Sequence, residues 1–138
     1  MGERLKGKNA IVTGAGRGIF KEVALAVAAE GARVVVVDPG VGRGGEGTEA
    51  APADEVVKEI KSKGGEATPC YESVADFNTA EKIIKTCVDT YGRIDILING
   101  AGILRERMIY NMTEDDWDAV LTVHLKGTFN MCRHASVL

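Results

Sequence analysis

The sequence of 138 residues predicts an α/β fold, the first half of a doubly wound parallel sheet with its strands in the order 3-2-1-4. Three observations lead to this prediction. Short apolar runs alternate along the chain with segments of helical periodicity. The segments between the runs are long enough for the helical crossovers that join parallel strands. Glycines follow the first and the last of these runs, at the strand ends where such sheets bind ligands.

The first two strands and the helix between them are the clearest elements. Asn9–Thr13 is an apolar run that ends at a glycine, as expected of a strand buried on both faces. Residues 19–30 predict an alanine-rich helix, and Gly31 suits its carboxyl end. The sequence ARVVVVD, residues 32–38, predicts the second strand because valine favours β structure.

The middle of the chain continues the alternation. Residues 39–52 are rich in glycine and predict a flexible loop. Residues 53–63 predict a helix, which the glycine pair after them closes. Residues 66–72 predict a weaker strand, because Pro69 lacks the N–H group that a central strand needs.

Two helices and one strand complete the prediction. Asn78 followed by Glu81 is a capping signal, and the apolar residues after it recur at helical spacing. These residues are Ala80, Ile83, Ile84, Cys87, Val88 and Tyr91. The sequence RIDILIN, residues 93–99, predicts the fourth strand. Thr113 and Asp116 cap a last helix. Its apolar stripe consists of Trp117, Val120, Leu121, His124, Leu125 and Thr128.

Composition excludes several kinds of partner. The formal net charge is −3 without a block of like charge, which disfavours nucleic acids and anionic membranes as partners. The chain has no apolar run of membrane-spanning length and no signal sequence at its start, so we expect a cytoplasmic protein.

The two histidines are too far apart for a helical metal site. The cysteines form no C-x-x-C pair, and we expect buried thiols at Cys70, Cys87 and Cys132.

The glycine-rich turn IVTGAGRGIF follows the first strand and begins the first helix. The pattern T-G-x-x-x-G-x-G fits Thr13, Gly14 and Gly18 and fails only at Phe20. Backbone N–H groups and the helix dipole can bind a pyrophosphate at such a position. A glycine cluster is also common in ordinary strand-to-helix turns, so both interpretations stay open on these residues alone.

Asp38 ends the second strand, twenty residues after Gly18. A carboxylate at this position can accept hydrogen bonds from an adenosine ribose, and it would repel the 2′-phosphate of NADP. The sequence therefore favours NAD over NADP as a cofactor. Two alternatives remain: Asp38 caps the turn before Pro39, or Arg43 approaches from the glycine-rich loop and partly reverses the preference.

The end of the fourth strand has small residues, Asn99, Gly100, Ala101 and Gly102, that would let the backbone approach an adenosine ribose. With TGAGRGI and Asp38, the sequence LINGAGI resembles the amino-terminal half of the short-chain dehydrogenase/reductase family, in particular the dehydrogenase domains of multifunctional enzymes. The resemblance covers essentially the whole chain. It implies one Rossmann-type NAD-binding domain over residues 1–138, and an ancestral NAD-dependent oxidation of a secondary alcohol such as a 3-hydroxyacyl thioester or a steroid.

The resemblance also implies roles for individual residues. Glu72 and Ser73 would read the adenine, while Arg17 and Ile19 would line the pyrophosphate. Helix 117–132 corresponds to one that contributes to subunit packing in this family. The complete predicted cofactor site is Gly14, Arg17, Gly18, Ile19, Asp38, Glu72, Ser73, Asn99, Ala101 and Gly102.

Besides Glu72, where the family usually has Asp, the chain departs from the family pattern at three single positions. Phe20 replaces a glycine that lets the first helix pack close to the sheet, so its ring must push the helix out or turn toward the nicotinamide side. Gly100 replaces the second asparagine of the family's N-N-A-G motif. His124 replaces an asparagine that helps organise a proton relay, and a hydrogen-bonded core histidine and a functional one are equally open.

The family's serine and its Tyr-x-x-x-Lys motif lie beyond residue 138, so we predict no catalytic residue and no turnover for this chain alone. Three hypotheses follow: part of a longer dehydrogenase, a nucleotide-binding module without catalysis, or an assembly protein that has lost the cofactor. The missing neighbour of the fourth strand would leave its edge open. We therefore predict a homo-oligomer or a complementing half as partner, besides the nicotinamide dinucleotide.

Overall fold

A computed structural model describes residues 1–41, 45 and 51–138. The predicted loop 39–52 lies largely outside the described residues, and Arg43 lies outside them altogether. The elements alternate in the predicted order and are listed here with their bounds. They are β1 (Asn9–Thr13), α1 (Gly18–Ala29), β2 (Arg33–Val37), α2 (Ala51–Ser62), β3 (Glu66–Cys70), α3 (Phe77–Tyr91), β4 (Ile96–Ile98), a 3₁₀ turn (Ile109–Asn111), α4 (Glu114–Leu121), a π turn (Thr122–Lys126) and α5 (Gly127–Ala135).

The described strands form one parallel sheet in the order β3-β2-β1-β4, which confirms the predicted order. Ile11 of β1 lies between Val35 of β2 and Leu97 of β4. Parallel strands place their carboxyl ends at one edge of the sheet. The glycine turn after β1 therefore lies beside the ends of both β2 and β4.

Helices cover both faces of the sheet. On one face the valines of β1 and β2 pack against α1 and α2 in a cluster that includes Val12, Val34, Val36, Ala24, Ala28, Val56 and Ile60. On the other face the alternate residues of the same strands pack against α3 and α5 in a cluster that includes Ile11, Val35, Val37, Ile83, Ile84, Cys87 and Met131. The apolar stripe predicted for α3 is thus confirmed at its central positions.

Strand β4 is shorter than the predicted segment 93–99, since only Ile96–Ile98 pairs with β1 in the sheet. Just before it, one backbone bond, from the Asp95 N–H to the Asn9 carbonyl at 3.0 Å, is reinforced by side chains. The backbone N–H of Asn9 donates to Oδ2 of Asp95 at 2.8 Å. The side-chain Nδ2 of Asn9 donates to the Arg93 carbonyl at 2.9 Å. These bonds fasten the approach to β4 without extending the strand.

The start of α3 also differs from the prediction. Asp76, and not Asn78, caps the helix: its Oδ1 accepts from the backbone N–H groups of Asn78 and Thr79, each at 2.9 Å. Asn78 is already inside the first turn. A carboxylate at a helix amino terminus has the additional benefit of the helix dipole, which favours Asp76 as the cap.

The predicted cap of the last helix is confirmed. Thr113 and Asp116 form a reciprocal capping box, with bonds of 3.0 and 3.2 Å between side chains and backbone. A π turn at Thr122–Lys126 lies between α4 and α5. The predicted stripe is not a buried one: its residues Trp117, Leu121 and Leu125 are 56%, 38% and 69% exposed. Phe129, which was not part of the predicted stripe, is 57% exposed. We call these four residues the exposed row.

The cysteines divide into two groups. Cys70 and Cys87 are buried as predicted, whereas Cys132 is exposed and corrects the prediction for that residue. Its position on the outer part of α5 follows from the same geometry that exposes Phe129. Over the described ranges, the structure has no helix whose length and apolar character would suffice to cross a bilayer.

Candidate nucleotide-binding site

A pocket of about 1000 Å³ opens at the carboxyl ends of the strands. It gathers residues from the glycine turn, the end of β2, the segment after β3 and the segment after β4. The predicted site residues that line it are Gly14, Arg17, Gly18, Ile19, Asp38, Glu72, Ser73, Ala101 and Gly102. The structure therefore brings together residues that are up to 88 positions apart in the sequence, 14 to 102.

The glycine turn has a shape that other residues could not adopt. Gly14 and Gly18 have φ values of 66° and 63°, in the left-handed region that favours glycine. A β-carbon on Gly14 would lie 2.6 Å from the Gly100 carbonyl oxygen, so the position also lacks space. A β-carbon on Gly18 would meet nothing within 4 Å, because Gly18 faces open space.

The amino terminus of α1 is suited to an anion. Arg17 precedes the helix with an extended backbone, and its side chain does not cap the first turn. No acidic residue lies in that turn. The first N–H groups of a helix have no partner within the helix, and the helix dipole favours negative charge there. The donors fit a phosphate or pyrophosphate group.

Asp38 is fixed against the glycine turn. Its Oδ2 accepts from the Gly16 N–H at 2.9 Å, and its Oδ1 accepts from the Gly40 N–H at 2.7 Å. A β-carbon on Gly16 would lie 2.5 Å from Oδ2, so this contact requires glycine. Asp38 thus caps the turn after β2 and also lines the pocket. Each carboxylate oxygen can accept a second hydrogen bond, which leaves capacity for ribose hydroxyls.

Thr13 joins the ends of β1 and β4. Its Oγ1 accepts from the N–H groups of Gly100 and Ala101 at 3.0 and 3.1 Å, and it donates to the Ile98 carbonyl at 3.4 Å. The sequence predicted Thr13 only as a position of the glycine motif. The available signal was a hydroxyl at the end of an otherwise apolar strand, where a backbone group would need a partner.

Asn99 is the predicted site residue that the structure does not bring to the pocket. Its side chain is exposed, and its Nδ2 donates to Sγ of Cys132 at 3.5 Å. Successive residues of an extended segment point to opposite sides, so Asn99 and Gly100 cannot both face the turn after β1. Its predicted role in binding is therefore not supported by its position.

Glu72 and Ser73 follow β3 and line the pocket on the far side of Asp38. The Ser73 hydroxyl accepts from the Ala75 N–H at 3.1 Å, which closes a small turn before α3. The pocket thus extends from the end of β3, past Asp38 and the glycine turn, to the segment after β4. This order follows the order of the strands in the sheet.

His124 lies in the π turn and is exposed, so it is not a core histidine. Its Nε2 lies 3.1 Å from the Ile103 nitrogen and 2.8 Å from the Ile103 oxygen. A β-carbon on Gly102 would lie 2.5 Å from Cε1 of the ring. The imidazole therefore packs on Gly102 and holds the main chain that follows β4, a position that also suits a functional histidine.

Arg105 is a pocket residue that sequence analysis missed. Its guanidinium contacts the carboxylates of Asp115 and Asp116 at 3.3 and 3.4 Å. The backbone N–H of Thr113 is the main cause of a lowered pKa at Asp116, followed by the Thr113 side chain and by Arg105. Asp116 therefore stays ionised, and it ties the segment after β4 to the start of α4.

Comparisons with known proteins agree with this geometry. The sequence profile of the short chain dehydrogenase family matches residues 8–137. Peroxisomal multifunctional enzyme A of Dictyostelium discoideum is 49% identical over 135 residues, which cover 98% of this chain and 30% of that protein. Peroxisomal multifunctional enzyme type 2 of Mus musculus is 46% identical over 132 residues, which cover 96% of this chain and 18% of that protein.

Two solved structures have the same architecture. A short chain dehydrogenase from Mycobacterium avium superposes with a TM-score of 0.88 at 51% identity, over 96% of this chain and 48% of that one. A 7α-hydroxysteroid dehydrogenase in complex with NADH and 7-oxo glycochenodeoxycholic acid gives 0.86 at 31% identity, over 97% and 49%. The chain spans about half of each structure. Profile, sheet order and glycine turn all agree with the resemblance found in the sequence, and this chain belongs to the short chain dehydrogenase family.

Proposed function

We propose that this chain is the nucleotide-binding half of an NAD-dependent dehydrogenase that oxidises a secondary alcohol, of the 3-hydroxyacyl thioester or steroid type. The nicotinamide ring supplies a hydride acceptor when the cofactor is bound. The residues of this chain bind and orient the dinucleotide, and the Tyr-x-x-x-Lys motif that would take the proton from the alcohol oxygen is not among them. The 7α-hydroxysteroid dehydrogenase among the similar structures supports the steroid type, and the 3-hydroxyacyl type comes from the resemblance found in the sequence.

One observation carries the proposal. Oδ2 of Asp38 accepts from the Gly16 N–H at 2.9 Å, so an acid suited to a ribose and a turn suited to a phosphate lie in one pocket. In the bound state we expect the pyrophosphate at Gly14, Gly18 and the α1 terminus. The adenosine would then extend toward Asp38, Glu72 and Ser73, along the order of the strands.

The experiment that tests the proposal is calorimetric titration of the chain with NAD and NADP. We expect binding of NAD, and weaker binding of NADP because its 2′-phosphate would approach the Asp38 carboxylate. Tighter binding of NADP than of NAD would contradict the role of Asp38. The absence of any binding by either nucleotide would contradict the proposed function as a whole.

A variant at Asp38 sharpens this test. Asp38→Asn keeps the shape of the side chain but removes its charge and replaces one of the two acceptors for the Gly16 and Gly40 N–H groups by a donor. We expect NAD to bind about tenfold more weakly, because hydrogen bonds to a charged acceptor are lost. The discrimination against NADP should shrink at the same time. Asp89→Asn, on an exposed part of α3, is the matched control and should bind both nucleotides as the unmodified chain does.

We further propose that the isolated chain does not turn over alcohols. None of Tyr71, Tyr91 and Tyr110 has a lysine four residues later, and hydride transfer needs a proton acceptor at the alcohol oxygen. Production of NADH from a 3-hydroxyacyl thioester by material whose mass corresponds to residues 1–138 would contradict this. It would direct attention to His124, which holds the main chain beside the pocket.

A second candidate function is that of a non-catalytic binding or assembly module. The exposed row favours it, because large apolar side chains on one helix face are typical of protein contacts. Nucleotide binding without self-association would favour the first function, and self-association without nucleotide binding would favour the second. The cytoplasmic location predicted from the sequence stays a prediction, while both multifunctional relatives are named as peroxisomal.

A further inference from the structure

Two departures from the family pattern meet in the folded chain. The ring of Phe20 lies against the backbone of Gly100, 80 residues away in the sequence. A β-carbon on Gly100 would be closer to Cγ and Cδ1 of Phe20 than any van der Waals contact allows. It would also lie 2.5 Å from the Thr13 carbonyl oxygen. Glycine at position 100 is therefore what makes room for the phenyl ring and for the close approach of the two strand ends.

The ring is a fixed part of the pocket wall. Phe20 is partly buried and packs against the cluster of Val12, Val36 and Ala24 under α1. Its remaining surface lines the pocket together with Gly100 and Ala101. Because one side of the ring rests on the core and another on backbone, the ring cannot turn away without disturbing α1 or β4.

The ring and Asp38 lie on opposite sides of β1 along the pocket. Asp38 follows β2, Phe20 contacts the end of β4, and β1 separates these two strands in the sheet. If the adenosine lies on the Asp38 side, as in the proposed function, the second half of a dinucleotide has to extend past Gly100. The phenyl ring of Phe20 lies at this position.

We propose that Phe20, seated on Gly100, makes this pocket selective for the adenosine diphosphate half of a dinucleotide. This inference rests on the proposed function. The nicotinamide-ribose half adds little to the binding affinity, because the phenyl ring occupies the part of the pocket that this half would enter. NAD therefore binds with an affinity close to that of ADP, and Phe20 is a specificity-determining residue.

The test is calorimetric titration of the chain with ADP and with NAD, before and after Phe20→Ala. In the unmodified chain we expect dissociation constants within about threefold of each other. In Phe20→Ala we expect NAD to bind about tenfold more tightly and ADP to change by less than about threefold. Phe77→Ala, which removes a ring from α3 outside the pocket, is the control and should change neither.

The outcomes separate this inference from the proposed function. NAD binding more than about tenfold tighter than ADP in the unmodified chain would overturn the inference but support the proposed function. An unchanged ratio of NAD to ADP affinity in Phe20→Ala would also overturn it. Should Phe20→Ala fold poorly, Phe20→Leu keeps an apolar side chain without the flat ring and should give a smaller change in the same direction. Failure of both ADP and NAD to bind would contradict the proposed function itself.

A substitution at Gly100 tests the contact directly. Gly100→Ala should lower the unfolding midpoint strongly in the unmodified chain, because its methyl group overlaps both the Phe20 ring and the Thr13 carbonyl. In the Phe20→Ala background the same change should cost clearly less, although the overlap with Thr13 remains. Equal losses in the two backgrounds would show that the two positions are not coupled.

Discussion

The two halves of the sheet are supported unequally. In β2, Val34, Val35, Val36 and Val37 are between 0% and 1% exposed. In β4, every residue of the strand is only half-buried. Apart from Arg33 in β2, both strands consist of branched aliphatic residues, and both pair in parallel with β1. What differs is the cover: β2 lies between neighbouring strands and under helices on both faces, whereas β4 is an outer strand.

This difference extends to the pocket. On the β2 side, Asp38 is held by two backbone N–H groups, and the strand before it is buried from Val34 to Val37. On the β4 side, the pocket wall includes Phe20 and Gly100, two residues that depart from the family pattern. His124, a third departure, packs on the nearby Gly102. The buried half of the sheet thus retains the features typical of the family. The departures are concentrated where the sheet is less covered.

The largest expected difference between the two halves is in the free energy of unfolding that is lost when a side chain is truncated to alanine. Ile60→Ala, in α2, should lower the free energy of unfolding by about 2–5 kcal/mol, because the side chain is 2% exposed and leaves a cavity. Ile98 of β4 packs against the same cluster but is only half-buried. Ile98→Ala should therefore lower the free energy of unfolding by only about 1–2 kcal/mol. Denaturant unfolding of both variants measures the difference. Equal costs would show that something covers β4 in solution.

Self-association is the next effect in size. The exposed row and the outer edge of β4 predict that the chain associates with itself at tens of micromolar. Leu125→Glu, in the middle of the row, should weaken this association about tenfold or more, because burial of a leucine contributes about 1.5–3 kcal/mol. Light scattering measures it, with Leu104→Glu in the segment after β4 as control. A monodisperse monomer before any substitution, with slow amide exchange along β4, would contradict the prediction.

These predictions rest on features of two kinds, and only one of them was visible in the sequence. The strand order was predicted because alternating strands and helices imply a parallel sheet, and the resemblance to the family gives the order. The α3 stripe and the Thr113 capping box were predicted, because each depends on residues a few positions apart. The short β4, the exposed Cys132 and the contact of Phe20 with Gly100 were not, because each depends on residues far apart in the chain. Likewise, the motif identified the pocket but could not show that Asn99 points away from it.

A smaller effect is expected from the hydrogen bond between the Asn9 N–H and the Asp95 carboxylate, just before β4. The N–H of Asn9, followed by the Arg93 side chain, lowers the pKa of Asp95 below its ordinary 3.8. The ionised carboxylate therefore stabilises the fold at neutral pH, and this contribution disappears as the pH falls through the lowered pKa. Asp95→Asn should unfold a few degrees earlier at pH 7. The difference from the unmodified chain should shrink in thermal melts as the pH is lowered below 3.8.

Asp89→Asn serves as the control for this comparison, since Asp89 is an exposed residue of α3. It should melt like the unmodified chain at both pH values. A difference between Asp95→Asn and the unmodified chain that persists unchanged in acid would show that the Asp95 charge does not contribute through its contact with Asn9.

The smallest effect leaves stability unchanged and reports only on access. Iodoacetamide should label native protein at the exposed Cys132 of α5 and spare Cys70 and Cys87. Burial raises the pKa of Cys87 to about 11, and it also raises that of Cys70, so the reactive thiolate is scarce at both. Mass spectrometry should find one label per native chain and three after denaturation. Native labelling of Cys87 would show that α3 separates from the sheet.

The bond between Asp38 and the Gly16 N–H has a consequence for the time course of binding. Because the turn carries left-handed glycines at both ends and is held in its middle by the protein's own carboxylate, it has its shape before any ligand arrives. A ligand that meets such a turn has little chain entropy to remove and no loop to fold. Association is then a single collision-limited step, and differences in affinity among nucleotides arise from how long each one stays.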